Sequence, residues 1–415
     1  MRRYIIAVVA VSLAFACGLP TDAPAQTAVT LTATTRQAAL TEIESAIQTT
    51  YVFPELRAPL IAKLDSAASA RRYDTADPNV FAERVTEDMQ SVAHDGHLYL
   101  TYDPAEYAAL LAPPKSGEGM DAYYRAIAIR QNSGLTEMKI LPGNLRYLKL
   151  SAFDYTPGAT TAAYDDAGRF LHGGDAVIID LRGNGGGDSD AADYFGKAFL
   201  DPNAGKPIYI LVDGHVASAA EAVSYGAQVN KEAIVVGGTT YGAANNNKKL
   251  PIAPAFVLSV SYNRPINPIT KTNWEGTGVV PDIAVPGSTA LPAAELSALH
   301  ELSAMPGIPE STRAEYAWAR QGVEAQLHPV KLSNVQLARY AGRYGTIVIR
   351  AVNGQLRLTR TDRPRWERNI LLVPLDTHGL FAVTAFDDLR LRFHTNSFDL
   401  LYGNEDDRDT FTRSI

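Results

Sequence analysis

The 415-residue chain has one cysteine, Cys17, so no disulfide braces the folded part, and packing alone must hold it. Positive charge is not in excess either: 38 Lys and Arg stand against 45 Asp and Glu, a net charge of −7. Without a basic field to attract phosphate backbones, nucleic acid is not an expected partner. A phosphate loop with Gly-Lys-Ser/Thr is missing, as are His-Glu-x-x-His and any cysteine ligand set for zinc. His94-Asp95-Gly96-His97 is a weak metal pair at most. No cofactor or metal ion is therefore implied. Hydrophobic residues at 46% are enough to bury real cores, which excludes a disordered chain.

Long apolar runs are absent beyond the N-terminus. There Arg2 and Arg3 precede an apolar stretch from Tyr4 to about Leu19, followed by the small-residue site Ala23-Pro24-Ala25. This is the anatomy of a secretory signal peptide over residues 1–25, too short for a lasting membrane span. The chain is expected to be exported, to the periplasm or outside the cell. Ala14-Phe15-Ala16-Cys17 also approximates a lipoprotein site, which would place a lipid anchor on Cys17.

Four regions follow. Residues 28–115 read as a helical cap: Leu40, Ile43, Ile47 and Tyr51 recur at helical spacing, and Phe81, Val85 and Met89 continue the pattern. These helices show no strand partners of their own, and Pro113-Pro114-Lys115-Ser116-Gly117 marks their end. Over residues 116–290, buried-strand runs (Ala176–Leu181, Pro207–Val212, Ala233–Val236) alternate with Ala-rich helical segments, which argues an α/β core with a largely parallel sheet. Leu145–Leu150 and Phe256–Tyr262 alternate as half-buried strands. A helical connector spans 291–328. Residues 329–415 read as a small antiparallel β-domain, with Asn353-Gly354 as a type I′ hairpin turn and Leu389–His394 in strict alternation.

Two segments could carry chemistry. Asp180-Leu181-Arg182-Gly183-Asn184-Gly185-Gly186-Gly187-Asp188 follows a buried strand, and its glycines suit either a structural turn or an outward-facing set of N–H groups. Asp180 and Arg182 read as the pair that fixes that turn. Ser218 falls where an Ala-rich helix begins, and with Glu221 it forms a capping box. A helix N-terminus also favours negative charge, so the cap and a nucleophile share one geometry. Trp274 reads as core packing, and from its residue type alone Glu275 beside it could equally be a surface carboxylate.

Taken in order, Asp95-Gly96-His97-Leu98, Asp180–Gly187, Ala217-Ser218-Ala219-Ala220-Glu221 and Asn273–Asp282 resemble a known superfamily. It comprises the C-terminal processing (tail-specific) serine proteases, the tricorn-core proteases and interphotoreceptor retinoid-binding protein. The resemblance covers about residues 36 to 286 and implies a crotonase-like core of β-β-α units. The lysine of the processing branch would fall near Ala243 and is absent; Lys248 and Lys249 are out of register. His97 and Glu275 match the tricorn and retinoid-binding branch, although Gly96 stands where that branch has a serine. The chain between Pro114 and Leu145 is too short for the PDZ domain of the processing branch.

The resemblance implies a Ser-His-Glu acyl-enzyme mechanism on peptides or unfolded protein tails. Ser218 would be the nucleophile, His97 the base and Glu275 its orienting partner, with an oxyanion hole from the backbone N–H groups of Gly186 and Ala219. The alternatives are a non-catalytic binder of an apolar ligand, as the retinoid-binding relatives imply, and an esterase or acyl transferase using the same residues.

Overall fold

The computed structural model describes residues 30–112, 120–363, 367–403 and 406–414. The leader sites at Cys17 and Ala23–Ala25, and the expected boundary at Pro113–Gly117, lie outside the described residues. The N-terminal helices begin where the local chemistry starts them. Thr32 caps α1 (Ala33–Thr50) by accepting from Thr35 N–H, Pro54 opens α2 (Pro54–Ser69), and Asp77 caps α3 (Pro78–Ala93). Their apolar stripes (Leu40, Ile43, Ile47, Leu60, Phe81, Val85) converge on one core. The short strand β1 (Tyr99–Tyr102) and helices α4 (Pro104–Leu111) and α5 (Met120–Arg130) follow.

The central sheet is built from β2 (Leu135–Leu141), β3 (Leu145–Leu150), β4 (Ala176–Asp180), β5 (Ile208–Val212), β6 (Ile234–Gly237) and the short β9 (Ile283–Ala284). It runs in the order β2-β3-β4-β5-β6-β9, parallel throughout except for the antiparallel edge pair β2–β3. Strands β4 and β5 are buried on both faces, which is why they read as continuous apolar runs. Val177, Ile179 and Ile210 face α6 (Ala159–His172), α7 (Ser189–Phe195) and α8 (Ala219–Val229). Ile178, Tyr209 and Leu211 face α9 (Ala290–Ala304) and α10 (Glu310–Leu327).

The remaining strands of this region, β7 (Asn246–Ile252) and β8 (Phe256–Asn263), leave that sheet. They join β1 in a separate antiparallel sheet of order β1-β8-β7. This corrects two expectations. The N-terminal helices do have strand partners: Tyr99 to Tyr102 pair with Ser259 to Phe256, and the Phe81 and Phe256 rings lie 5.3 Å apart. Strand β8 is also buried continuously from Phe256 to Ser261 rather than alternating: Phe256, Leu258 and Val260 pack on the helices, while Ser259 and Ser261 on the other face donate to the His97 carbonyl and to Asp95.

After α11 (Asn334–Tyr340), eight antiparallel strands follow in chain order: β10 (Gly342–Tyr344), β11 (Ile347–Val352), β12 (Gln355–Arg360), β13 (Ile370–Pro374), β14 (Leu380–Val383), β15 (Phe386–Phe393), β16 (Ser397–Tyr402) and β17 (Arg408–Thr412). They form a barrel-like sheet around Phe381, Phe393 and Phe398. Asn353 and Gly354 both take positive φ, 51° and 74°, as the type I′ turn between β11 and β12 requires.

Candidate active site

Because β4 and β5 are parallel neighbours, the loops that leave their carboxyl ends emerge side by side. The first is the Gly-rich loop and the second leads to Ser218. At the base of the Gly-rich loop, Arg182 Nη2 lies 2.6 Å from Asp180 Oδ2, and Tyr147 donates its phenol to the same oxygen at 2.7 Å. Asp180 is fully buried. Burial alone would raise its pKa, but hydrogen bonds from Arg182 and Tyr147 hold it below the usual carboxylate range. The pair is structural, as the sequence suggests.

Asn184 clamps the loop to its surroundings. Its Nδ2 donates to the Leu150 carbonyl at 2.9 Å, its own carbonyl accepts from Ala217 N–H at 3.1 Å, and its Oδ1 accepts from Gly186 N–H at 2.8 Å. That last bond corrects the expected oxyanion donors, since the Gly186 N–H is already engaged. Gly187 instead bridges to Phe153 in parallel fashion. The Gly186 carbonyl and the Asp188 N–H both bond to Phe153, so the intervening Gly187 N–H points away from that strand. Among the described residues no acceptor is hydrogen-bonded to Gly187 N–H or Ala219 N–H. Gly186 (φ 99°) serves close packing instead, because a Cβ there would lie 2.8 Å from both the Ala217 carbonyl and Ser218 Cβ. Glycine lets this loop touch the serine turn.

Ser218 is the residue before α8 and takes φ 53°, ψ −121°, a conformation L-residues rarely hold. Glu221, fully buried, fixes the turn from within. Its carboxylate accepts from Ser218 N–H at 3.0 Å, Gly242 N–H at 2.7 Å, Ala243 N–H at 2.8 Å and the Thr240 hydroxyl. The capping glutamate is thus also the hub joining the serine turn to the 240–243 loop, a role its spacing from Ser218 does not reveal.

His97 enters from the other side, two residues before β1. The pairing of β1 with β8 sets its place, and Ser259 donates its hydroxyl to the His97 carbonyl. Asp95 Oδ1 accepts from His97 N–H at 2.9 Å and from the Ser261 hydroxyl at 3.1 Å, while Asn245 Nδ2 reaches Asp95 Oδ2 at 3.5 Å. His97 is 8% exposed, and its Nδ1 is buried without a hydrogen-bond partner. Burial lowers its pKa below the ordinary histidine value, against the opposing pull of Asp95 and the Asn245 backbone.

Glu275 is not the surface carboxylate that its residue type alone would allow. Its Oε2 accepts from Ala244 N–H at 2.7 Å and Asn245 N–H at 2.8 Å, and its Oε1 is buried without a partner. Burial, reinforced by Asp95, pushes its pKa up to about 7. One donor atom each from Asp95, His97 and Glu275 lie within 4.8 Å of one another. That spacing would also suit a small cation. The Asp95 oxygens already accept from the Ser261 hydroxyl, the Asn245 amide and the His97 backbone.

Ser218 and His97, 121 residues apart in sequence, line the same cavity of about 850 Å³ together with Gly186 and Gly187. No hydrogen bond joins the two side chains. Sequence reasoning missed three other wall residues. Lys249, out of register for the processing-branch lysine, lies in this wall, ion-paired to Glu106 at 2.6 Å. Asp154 also lines it. So does Tyr241, whose ring fills the space beside Gly96: a Cβ on Gly96 would sit 2.5 Å from Tyr241 Cε1. Gly96 therefore answers to Tyr241, and no signal in the sequence pairs those positions. His215, the histidine nearest Ser218 in sequence, is largely exposed beside Asp213.

Residues 201–285, which contain Ser218, Glu221 and Glu275, match the model of Peptidase family S41. Solved structures similar to the chain include the photosystem II D1 C-terminal processing protease (17% identity, 62% of this chain and 95% of that one, TM-score 0.37). The tricorn protease is similar at 11% identity over 62% of this chain and 35% of that one, TM-score 0.40. Mature CPAF is similar at 12% identity over 62% and 94%, TM-score 0.41. With the motif order, the match over residues 201–285, the segment that holds the serine turn, supports a relationship to the S41 superfamily of serine peptidases.

Proposed function

We propose that the protein is an exported peptidase that hydrolyses peptides or unfolded protein tails through an acyl-enzyme, with Ser218 as nucleophile and His97 as base. The observation that carries this reading is the shared cavity, which a serine on a strained helix-start turn, a buried histidine and the Gly-rich loop line together. Ser218 Oγ attacks the peptide carbonyl carbon while the imidazole takes the hydroxyl proton. The oxyanion that forms is met by Ala219 N–H and, with Gly186 N–H held by Asn184, by Gly187 N–H. Collapse breaks the C–N bond, and the imidazolium returns its proton to the departing amine. Water then attacks the acyl-serine with His97 again as base, releasing the carboxylic acid and restoring Ser218. Glu275 would orient the imidazole and stabilise its charged form.

A fluorophosphonate probe tests the assignment directly. The wild type should be labelled, and Ser218→Ala and His97→Ala should not. A folded wild type that resists the probe would count against the nucleophile and favour a binding role. A matched ester and amide substrate panel separates a peptidase from an esterase.

A further inference from the structure

The wall of the cavity is unevenly charged. Lys249 is its basic side chain other than His97, and it is paired with Glu106, whereas two acidic residues, Asp154 and Asp188, line the same space. Asp188 is partly occupied, since its Oδ1 caps α7 by accepting from Asp190 N–H at 2.8 Å. Asp154 is different. Its Oδ2 is buried without a hydrogen-bond partner, and no cation is paired with its carboxylate among the described residues. A desolvated carboxylate with no donor is costly to maintain, and a ligand that brings a donor removes that cost.

Its position is also specific. Gly186 packs on Ser218, Gly187 bridges to Phe153, and Asp154 is the next residue. Asp154 therefore stands beside the Gly-rich loop, in the wall of the cavity that Ser218 lines. Burial raises the Asp154 pKa, which fits a group that awaits a counter-charge.

We infer that Asp154 is a specificity-determining residue, recognising a cationic nitrogen of the substrate next to the scissile bond, from either a Lys or Arg side chain or a free α-amino group. The inference rests on reading this cavity as the peptide site, but it concerns recognition and can be tested without turnover. Ser218→Ala protein is titrated calorimetrically with three eight-residue peptides of one sequence: N-acetylated with a central lysine, N-acetylated with norleucine in its place, and norleucine-containing with a free N-terminus.

A side-chain site makes the acetylated lysine peptide bind about 10-fold tighter than its norleucine counterpart, and an α-amino site gives that advantage to the free-amine peptide. Adding Asp154→Asn should abolish the preference, while Asp154→Glu should keep most of it. Equal binding of all three peptides, binding of none, or a preference that survives Asp154→Asn overturns the inference. Failure of the nucleophile assignment looks different: the peptide preference holds in Ser218→Ala while the wild type resists the fluorophosphonate probe.

Discussion

A ring nitrogen of His97 and a carboxylate oxygen of Glu275 lie within 4.8 Å of one another, and each residue leaves one buried atom, Nδ1 and Oε1, without a hydrogen-bond partner. A hydrogen bond between the two side chains needs a proton on one of them. The proton needed for that bond depends on pH. Glu275 holds its proton up to about 7, whereas burial keeps His97 neutral to below the ordinary histidine value. Below about pH 7 the glutamate is uncharged and cannot stabilise the imidazolium; above it, it can.

The acid limb of the kcat/KM profile should therefore fall near pH 7 and belong to Glu275. Glu275→Gln should remove that limb, expose a second one below the ordinary histidine value of 6.5 from His97, and lower the plateau by about 10²–10⁴-fold. A limb that stays near pH 7 in Glu275→Gln would assign it to another group.

Gly96 and Tyr241 supply a second prediction. A serine at position 96 would drive its Cβ into the Tyr241 ring, 2.5 Å from Cε1. Gly96→Ser alone should slow fluorophosphonate labelling, because His97 is the next residue and would shift with it. Gly96→Ser with Tyr241→Ala should recover much of the loss, a coupling of about 0.5–3 kcal/mol in a double-mutant cycle. Additive effects would mean that the two residues do not compete for this space.

How much of the structure is legible in the sequence follows from what neighbouring residues can encode. Runs buried on both faces announce β4 and β5, and Asn353-Gly354 announces its hairpin, because each is settled locally. The partnership of β1 with β8 is not legible, since 156 residues separate Thr101 from Val257 and a strand this short carries little pattern. At the site, Ser218 and the Gly-rich loop can be found from strand-to-helix chemistry, whereas His97 and Glu275 need the ordered resemblance. Tyr241 acts through a tertiary contact, and Asp95 and Asn184 add tertiary bonds to their local ones, none of which the spacing of residues along the chain encodes.

The serine turn also depends on Gly186. An alanine there would meet the Ala217 carbonyl and Ser218 Cβ at 2.8 Å while holding φ at 99°, so backbone rather than a flexible side chain must give way. Gly186→Ala should cost about 1–3 kcal/mol of stability and reduce labelling of Ser218 by roughly 10²-fold, as the N–H groups facing the carbonyl move with the loop. Labelling at the wild-type rate would mean that the loop and the serine turn are independent.

A last prediction lies outside the site. Glu295, on α9, is 6% exposed, and burial alone pushes its pKa up to about 7 from 4.5. The folded protein thus holds this proton more tightly than the unfolded chain does. The carboxyl is tolerated below about pH 4.5. Its cost grows as pH rises through the window from 4.5 to about 7, and is complete above it, at roughly 3 kcal/mol for a shift of this size. Glu295→Gln should accordingly raise Tm over wild type at about pH 8 and lose that advantage at about pH 4.5. A gain of equal size at both pH values would trace it to packing, because only ionisation ties the difference to this window.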